Sequence, residues 1–99
     1  MITLYRSASI APGKNTRAYA YAHEMVGYIK DKTGHVVKVA VPMAGNPNRV
    51  AWSVQYANLG ELETHHTKLM ADAKYMDLVS KNADNFIAGS VCDEVWRAI

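Results

Sequence analysis

Apolar residues along this chain recur with two different periods, and the switches between them mark out strands and helices. Ile2-Thr3-Leu4-Tyr5-Arg6-Ser7-Ala8 alternates apolar and polar with strand-favouring residues, and Ala11-Pro12-Gly13-Lys14-Asn15 is a turn-rich break. From Thr16 the spacing becomes helical: Tyr19, Ala22, Val26 and Ile29 share a stripe, Ala18 and Met25 lie beside it, and Lys30-Asp31-Lys32 closes the last turn. This predicts a first helix over residues 16–32. Gly34 then suits the left-handed residue that ends many helices, because it has no Cβ to clash there.

His35 to Val41 reads as a second strand, nearly continuous in Val36, Val37, Val39, Ala40 and Val41. A strand apolar on both sides is expected to be covered on both faces. After the turn formers Ala44-Gly45-Asn46-Pro47-Asn48, a third strand from Arg49 to Ala57 places Val50, Trp52, Val54 and Tyr56 on one face. Asn58 stands three residues before Glu61, the spacing of a capping box in which each side chain bonds the other residue's backbone N–H, so a second helix starts there. Its stripe is Leu62, Leu69, Ala73 and Met76. Tyr75, Leu78 and Val79 fall off that stripe, which predicts a break near Ala73-Lys74 and a further short helix to about Asn82. Asn82 to Asn85 is a turn, and Phe86 to Trp96 is read as the last strand with a bulge at Gly89.

The resulting order, strand-helix-strand-strand-helix-strand, is the split βαβ or ferredoxin-like unit, an α+β fold with a four-stranded antiparallel sheet. It is expected as a single domain over residues 1–99. One sheet has only one helix layer to cover it, so the second face of strand two points to a second copy of the chain. Val39 and Val41 are the positions expected to lie against that partner.

Composition narrows the function classes. The chain has 99 residues, 49% hydrophobic and 20% charged, the balance of a folded globular protein. The formal charge is +2, and its Lys and Arg residues are scattered from Arg6 through Lys38 to Arg97, which argues against nucleic acid as a partner. No apolar run approaches the roughly 20 residues that span a bilayer, so no membrane role is expected. Met1 to Ser9 lacks a secretory pattern, and a lone cysteine, Cys92, forms no internal disulfide, so the cytoplasm is the expected location. Cys92 has no neighbouring His or Cys and is read as a buried or interface thiol.

His65 and His66 are the most unusual residues, because Leu62 and Leu69 place them on or beside the buried stripe of the second helix. An imidazole there acts as a proton carrier or a ligand-orienting donor, or simply packs as a satisfied helix histidine. His23 lies at the edge of the first helix's stripe and is a third candidate if the helices share a cleft. Adjacent histidines diverge by about 100° around a helix, and no carboxylate spacing completes a ligand set, so no metal is expected. Trp52 and Tyr56 on strand three, with Tyr5 and Arg6 from strand one, are candidates for lining an apolar pocket that holds a ring. An inward Arg6 needs a partner, either a ligand carboxylate or Asp93 or Glu94. No phosphate loop, nucleophile triad or pair of catalytic carboxylates is present.

Trp52 in strand three, the Asn58-Leu59-Gly60-Glu61 helix start, Tyr75-Met76-Asp77-Leu78 and Gly89 together resemble the dimeric α+β barrel superfamily, in particular its NIPSNAP-like branch. The resemblance implies a homodimer with two sheets packed face to face. The superfamily includes cofactor-independent monooxygenases, lactone isomerases and haem enzymes. Haem-binding members usually need more chain to enclose the macrocycle, so no cofactor is expected. The expected function is a homodimeric small-molecule protein with its pocket between helices and sheet, acting as a cofactor-independent monooxygenase or isomerase on a small aromatic or polyketide-like compound. The alternative is a non-catalytic assembly or ligand-sensing module built from the same residues.

Overall fold

Each switch of period in the sequence marks a change of element in the computed structural model, which describes Met1 to Ile99. The elements are β1 (Ile2–Ser9), α1 (Asn15–Thr33), β2 (Val37–Ala40), β3 (Arg49–Tyr56), α2 (Leu59–Met70), α3 (Ala73–Lys81), a 3₁₀ turn (Ala83–Asn85) and β4 (Cys92–Arg97). The strands form one sheet in the order β2-β3-β1-β4 with every pairing antiparallel, the ferredoxin-like α+β arrangement. No helix is long and apolar enough to cross a membrane.

Register decides which side chains share a face, because successive residues of a strand point to opposite sides. Arg6 lies opposite Trp52 on one side and opposite Asp93 on the other, and Leu4 likewise lies between Val54 and Val95. These residues, with Ile2, Ala8, Val50 and Tyr56, face the helices. Tyr5, Ser7, Ala51, Ser53 and Trp96 face away from them. Ala18 and Ala22 of α1 are wholly buried against Ile10 and Val50, so the helix backbone sits close on the sheet. Further along, Met25 and Ile29 join Val37, Val54, Leu69 and Tyr75 in the main core.

The helix ends form much as their residues dictate. Gly34 takes φ 78° and its N–H returns to the Lys30 carbonyl. At the start of α2, Asn58 Oδ1 accepts from the Glu61 N–H at 2.9 Å, while the Glu61 carboxylate accepts from Ala57 N–H rather than from Asn58. Asn58→Ala is expected to cost about 1 kcal/mol, read as a lower urea midpoint with an unchanged slope. The predicted break is present: Asp72 caps α3 through the N–H groups of Lys74 and Tyr75. Beyond it Tyr75, Leu78 and Val79 supply the inward face, and Ala73 and Met76 turn outward.

Two expectations need correction. The last strand begins at Cys92 and not at Phe86. Phe86 makes an isolated bridge to Ile10, Ile87 N–H and the Ser90 hydroxyl oxygen still bond to Ser9, Gly89 takes φ 77°, and ladder pairing with β1 begins where Cys92 meets Ser7. The residues between loop out because Phe86 is held among the aromatic rings of Tyr21 and Trp52. Strand two is shorter than expected, and within this chain its faces are unequal: Val37 is buried, whereas Val36, Lys38 and Ala40 are exposed. Val39 pairs with Trp52 and packs against the core, so it faces the chain's own helices and not a partner. Cys92 is exposed in the single chain.

Candidate functional site

Between the sheet and helices α2 and α3 lies a cavity of about 370 Å³, a volume suited to a small organic ligand. It is mostly apolar, with 20 hydrophobic residues among the 25 that line it. The floor comes from β1 and β3, so its side chains are fixed by the ladder register. The roof and mouth come from α2, α3 and the loop that ends in Val91, and include Met70, Met76 and Ile87.

A few polar groups converge on this apolar space. The Trp52 Nε1–H is buried and has no hydrogen-bond partner. Its ring is held edge-on by Tyr21 and Phe86, with centroids 6.3 and 5.9 Å away. Beside it, Arg6 binds Asp93 through a two-pronged contact, Nε to Oδ1 at 2.7 Å and Nη2 to Oδ2 at 2.8 Å. That pairing raises the Arg6 pKa and holds the Asp93 carboxyl below its usual range. Burial pushes the Tyr21 hydroxyl up to about 12 and raises that of Tyr75, so both phenols stay protonated beside the guanidinium.

The cavity wall nearest the start of α2 is made by Tyr56 and His65, whose hydroxyl oxygen and Nδ1 are 2.5 Å apart. His65 is 4% exposed. Burial, then the neighbouring charges of His35 and Lys68, lower its pKa to about 4, so it is neutral at pH 7. Burial also pushes the Tyr56 hydroxyl to about 12. On the far side, His65 Nε2 lies 3.0 Å from Thr33 Oγ1, and the His35 ring stacks on the His65 ring at 4.0 Å. Thr33 donates its one hydrogen to the Ile29 carbonyl at 2.8 Å. It therefore accepts from His65 Nε2–H, which leaves His65 Nδ1 to accept from Tyr56. His35 Nε2–H donates to Glu61 Oε1 at 3.1 Å. The Glu61 carboxyl is held low first by the Ala57 N–H and then by His35. Thr33, His35, Glu61 and His65 also line a second pocket of about 320 Å³ that no hydrophobic side chain lines and that shares His65 with the first. No three His, Cys, Asp or Glu side chains converge as a metal site.

The structure brings together Trp52, Tyr56, Arg6, His65 and His66 around the apolar cavity, with His66 exposed at its mouth. Tyr5 and His23 lie elsewhere. Tyr5 points to the opposite face of the sheet, since it is the strand neighbour of the inward Arg6, and His23 is exposed on α1. Arg6 takes Asp93, one of its two expected carboxylates, which the register sets directly opposite. Sequence reasoning missed His35, Thr33, Tyr21 and Tyr75, and read Glu61 only as a cap. A histidine immediately after a helix-ending glycine was the available signal for His35, since the left-handed turn swings the next residue back over the helix end.

No protein-family model matches the chain, and no curated protein does. Solved structures do. A NIPSNAP family protein from Agrobacterium tumefaciens superposes with a TM-score of 0.85 at 17% identity, over 99% of this chain and 85% of that one. An uncharacterized NIPSNAP domain protein from Burkholderia xenovorans gives 0.83 at 16% identity, covering 100% and 95%. An antibiotic biosynthesis monooxygenase-like protein from Deinococcus radiodurans gives 0.74 at 12% identity, covering 99% and 92%. The chain thus has the ferredoxin-like α+β fold that the NIPSNAP proteins share with the antibiotic biosynthesis monooxygenase-like proteins, the fold of the dimeric α+β barrels.

Proposed function

We propose that this chain is a homodimeric protein that holds a small, flat, mainly apolar ring compound bearing an oxygen acceptor, and oxidises or isomerises it without a cofactor. The observation that carries the reading is the mostly apolar cavity lined by Trp52, whose buried Nε1–H has no hydrogen-bond partner. A buried donor without a partner costs about 1–3 kcal/mol, and a ligand carbonyl or phenolic oxygen placed against it removes that cost. Arg6 on the floor and Tyr21 and Tyr75 on the helices above it line the same cavity, so an oxygen that gains negative charge is stabilised there.

The chemistry that fits is loss of a proton from an acidic ring position or hydroxyl, with the Tyr56–His65 pair in the wall as the nearby acceptor. For an activated ring CH₂, reaction with dioxygen places one oxygen atom in a new carbonyl and releases the other as water, the substrate itself being the reductant. Isomerisation needs only return of the proton at another carbon. The structural neighbours include antibiotic biosynthesis monooxygenase-like proteins, which supports the oxidative reading.

A binding-only role is the second reading, and the occupation of both His65 ring nitrogens favours it, because no free base then faces the ligand. Trp96→Phe leaves Trp52 as the sole tryptophan and so makes the cavity its own reporter. Titration with 2-naphthol is expected to quench Trp52 saturably, and Trp52→Phe is expected to weaken naphthol binding about tenfold when followed by calorimetry, the loss of one buried hydrogen bond. An unchanged affinity in Trp52→Phe removes the basis for the proposed ligand class. Oxygen uptake with anthrone then separates turnover from binding alone.

A further inference from the structure

We propose that Tyr56, His65, Thr33, His35 and Glu61 form a proton conduit that carries a proton from a ligand in the apolar cavity, through the body of the protein, to solvent at the polar pocket. The inference rests on the reading of that cavity as a ring-binding site.

The geometry is a continuous file of hydrogen-bonding atoms. Tyr56 Oη meets His65 Nδ1, His65 Nε2 lies 3.0 Å from Thr33 Oγ1, Thr33 Oγ1 lies 3.3 Å from His35 Nδ1, and His35 Nε2 lies 3.1 Å from Glu61 Oε1. The first two residues line the apolar cavity, the last four line the polar one, and His65 belongs to both. A stabilising core needs no such file. Apolar packing would fill the same volume without burying an imidazole, and the file ends at a carboxylate that is partly open to water.

The resting tautomers are set for transfer in one direction. His65 carries its hydrogen on Nε2 and leaves Nδ1 for Tyr56, and His35 donates from Nε2 to Glu61; onward transfer uses the His35 tautomer with a bare Nδ1, which takes a proton once the Thr33 hydroxyl turns toward it. When a ligand hydroxyl or acidic C–H gives its proton to Tyr56 Oη, the Tyr56 proton passes to His65 Nδ1 and the His65 Nε2 proton passes to Thr33 Oγ1. The Thr33 hydroxyl turns from the Ile29 carbonyl and hands its proton to His35 Nδ1, and His35 gives its Nε2 proton to Glu61 and thence to water. One proton leaves the ligand, one reaches solvent, no electrons move, and the ligand remains as its anion. Run backwards, the same file returns a proton to the product and restores every tautomer.

His65 suits a transit point because it cannot keep a proton. Burial and the stacked His35 ring both oppose an imidazolium there. A proton that reaches His65 therefore either returns to the ligand or moves on through Thr33. Thr33, His35 and Glu61 are positioning and relay residues, since none of them lines the apolar cavity.

The test uses bound 2-naphthol, whose excited state is a strong acid and whose neutral and ionised forms emit in separate bands. Occupancy is read from Trp52 quenching in the Trp96→Phe background. At equal occupancy, Tyr56→Phe is expected to reduce the naphtholate band of the bound probe about tenfold, the lower end of what a positioned proton acceptor contributes. Thr33→Val, nearly the same shape, is expected to reduce it several-fold, because return of the proton from His65 then outruns its onward transfer. If both variants emit as the parent does, the conduit is refuted while the cavity reading stands. If the parent is not quenched at all, no ring is held and both proposals fall. Should Tyr56→Phe fail to melt cooperatively, Thr33→Val alone decides the outcome.

Discussion

Lowering the pH from 7 to 4 is expected to destabilise the fold by on the order of 3 kcal/mol through His65 alone. In the native protein His65 takes up a proton only near pH 4, whereas its ordinary value is 6.5. Above 6.5 the side chain is neutral in both states and its contribution is intact. As the pH falls below 6.5 the unfolded chain gains a proton that the folded chain refuses, so stability drains away until the folded value is reached. Burial sets this preference first, His35 stacked on the ring and Lys68 and His66 from α2 add to it, Glu61 opposes it, and Tyr56 from β3 packs on the remaining side. Glu61, Asp72 and Asp93 also bind protons less readily than usual, but their ordinary values are 4.5, 3.8 and 3.8, so their losses come lower on the scale. Urea midpoints for the parent and His65→Gln across pH 7 to 4.5 separate the two windows. The substitution is expected to be less stable at pH 7 yet to have a flatter profile; parallel profiles would mean that His65 is not the group responsible.

A glutamate at Ala51 is expected to turn the proposed dimer into a folded monomer. Ala51 and Ser53 lie at the centre of the sheet face that no helix covers, with Tyr5 46% and Trp96 60% exposed on the same side. Large aromatic side chains left open on a bare sheet favour burial against a second copy, in the face-to-face packing that gives the dimeric α+β barrels their name. A glutamate on that face is costly to desolvate when a second sheet packs over it. Val39→Glu gives the contrasting result: that side chain packs inward beside Trp52, so the variant is expected to lose the fold itself. Light scattering with circular dichroism distinguishes these outcomes, and an Ala51→Glu protein that stays dimeric would move the interface elsewhere.

Much of the architecture was legible because it depends on neighbours in sequence. The alternation through Ile2 to Ala8 and Arg49 to Tyr56, the Asn58 cap, the Gly34 stop and the phase change after Leu69 each reflect interactions spanning a few residues. The boundary of β4 was not legible, because what holds Phe86 out of the strand is its contact with Tyr21 and Trp52, far away along the chain. His65 was found from its place on the α2 stripe. Its partner His35 was hidden within an apparently regular strand, and a stack between a loop and a helix leaves no periodic trace. The cavity was the least legible feature, since it arises where side-chain volumes fail to fill the space between α3 and the sheet.

Floor and roof of that cavity are built to different tolerances. Trp52, Arg6 and Asp93 stand in one line across three hydrogen-bonded strands, so moving any of them means breaking a ladder. Met70, Met76 and Ile87 sit on short helices and a loop around the mouth, each partly open to solvent. Substitutions there alter the room available without disturbing the donors beneath. Diversification within this scaffold should therefore change the size of the guest far more readily than the chemical handle by which it is gripped.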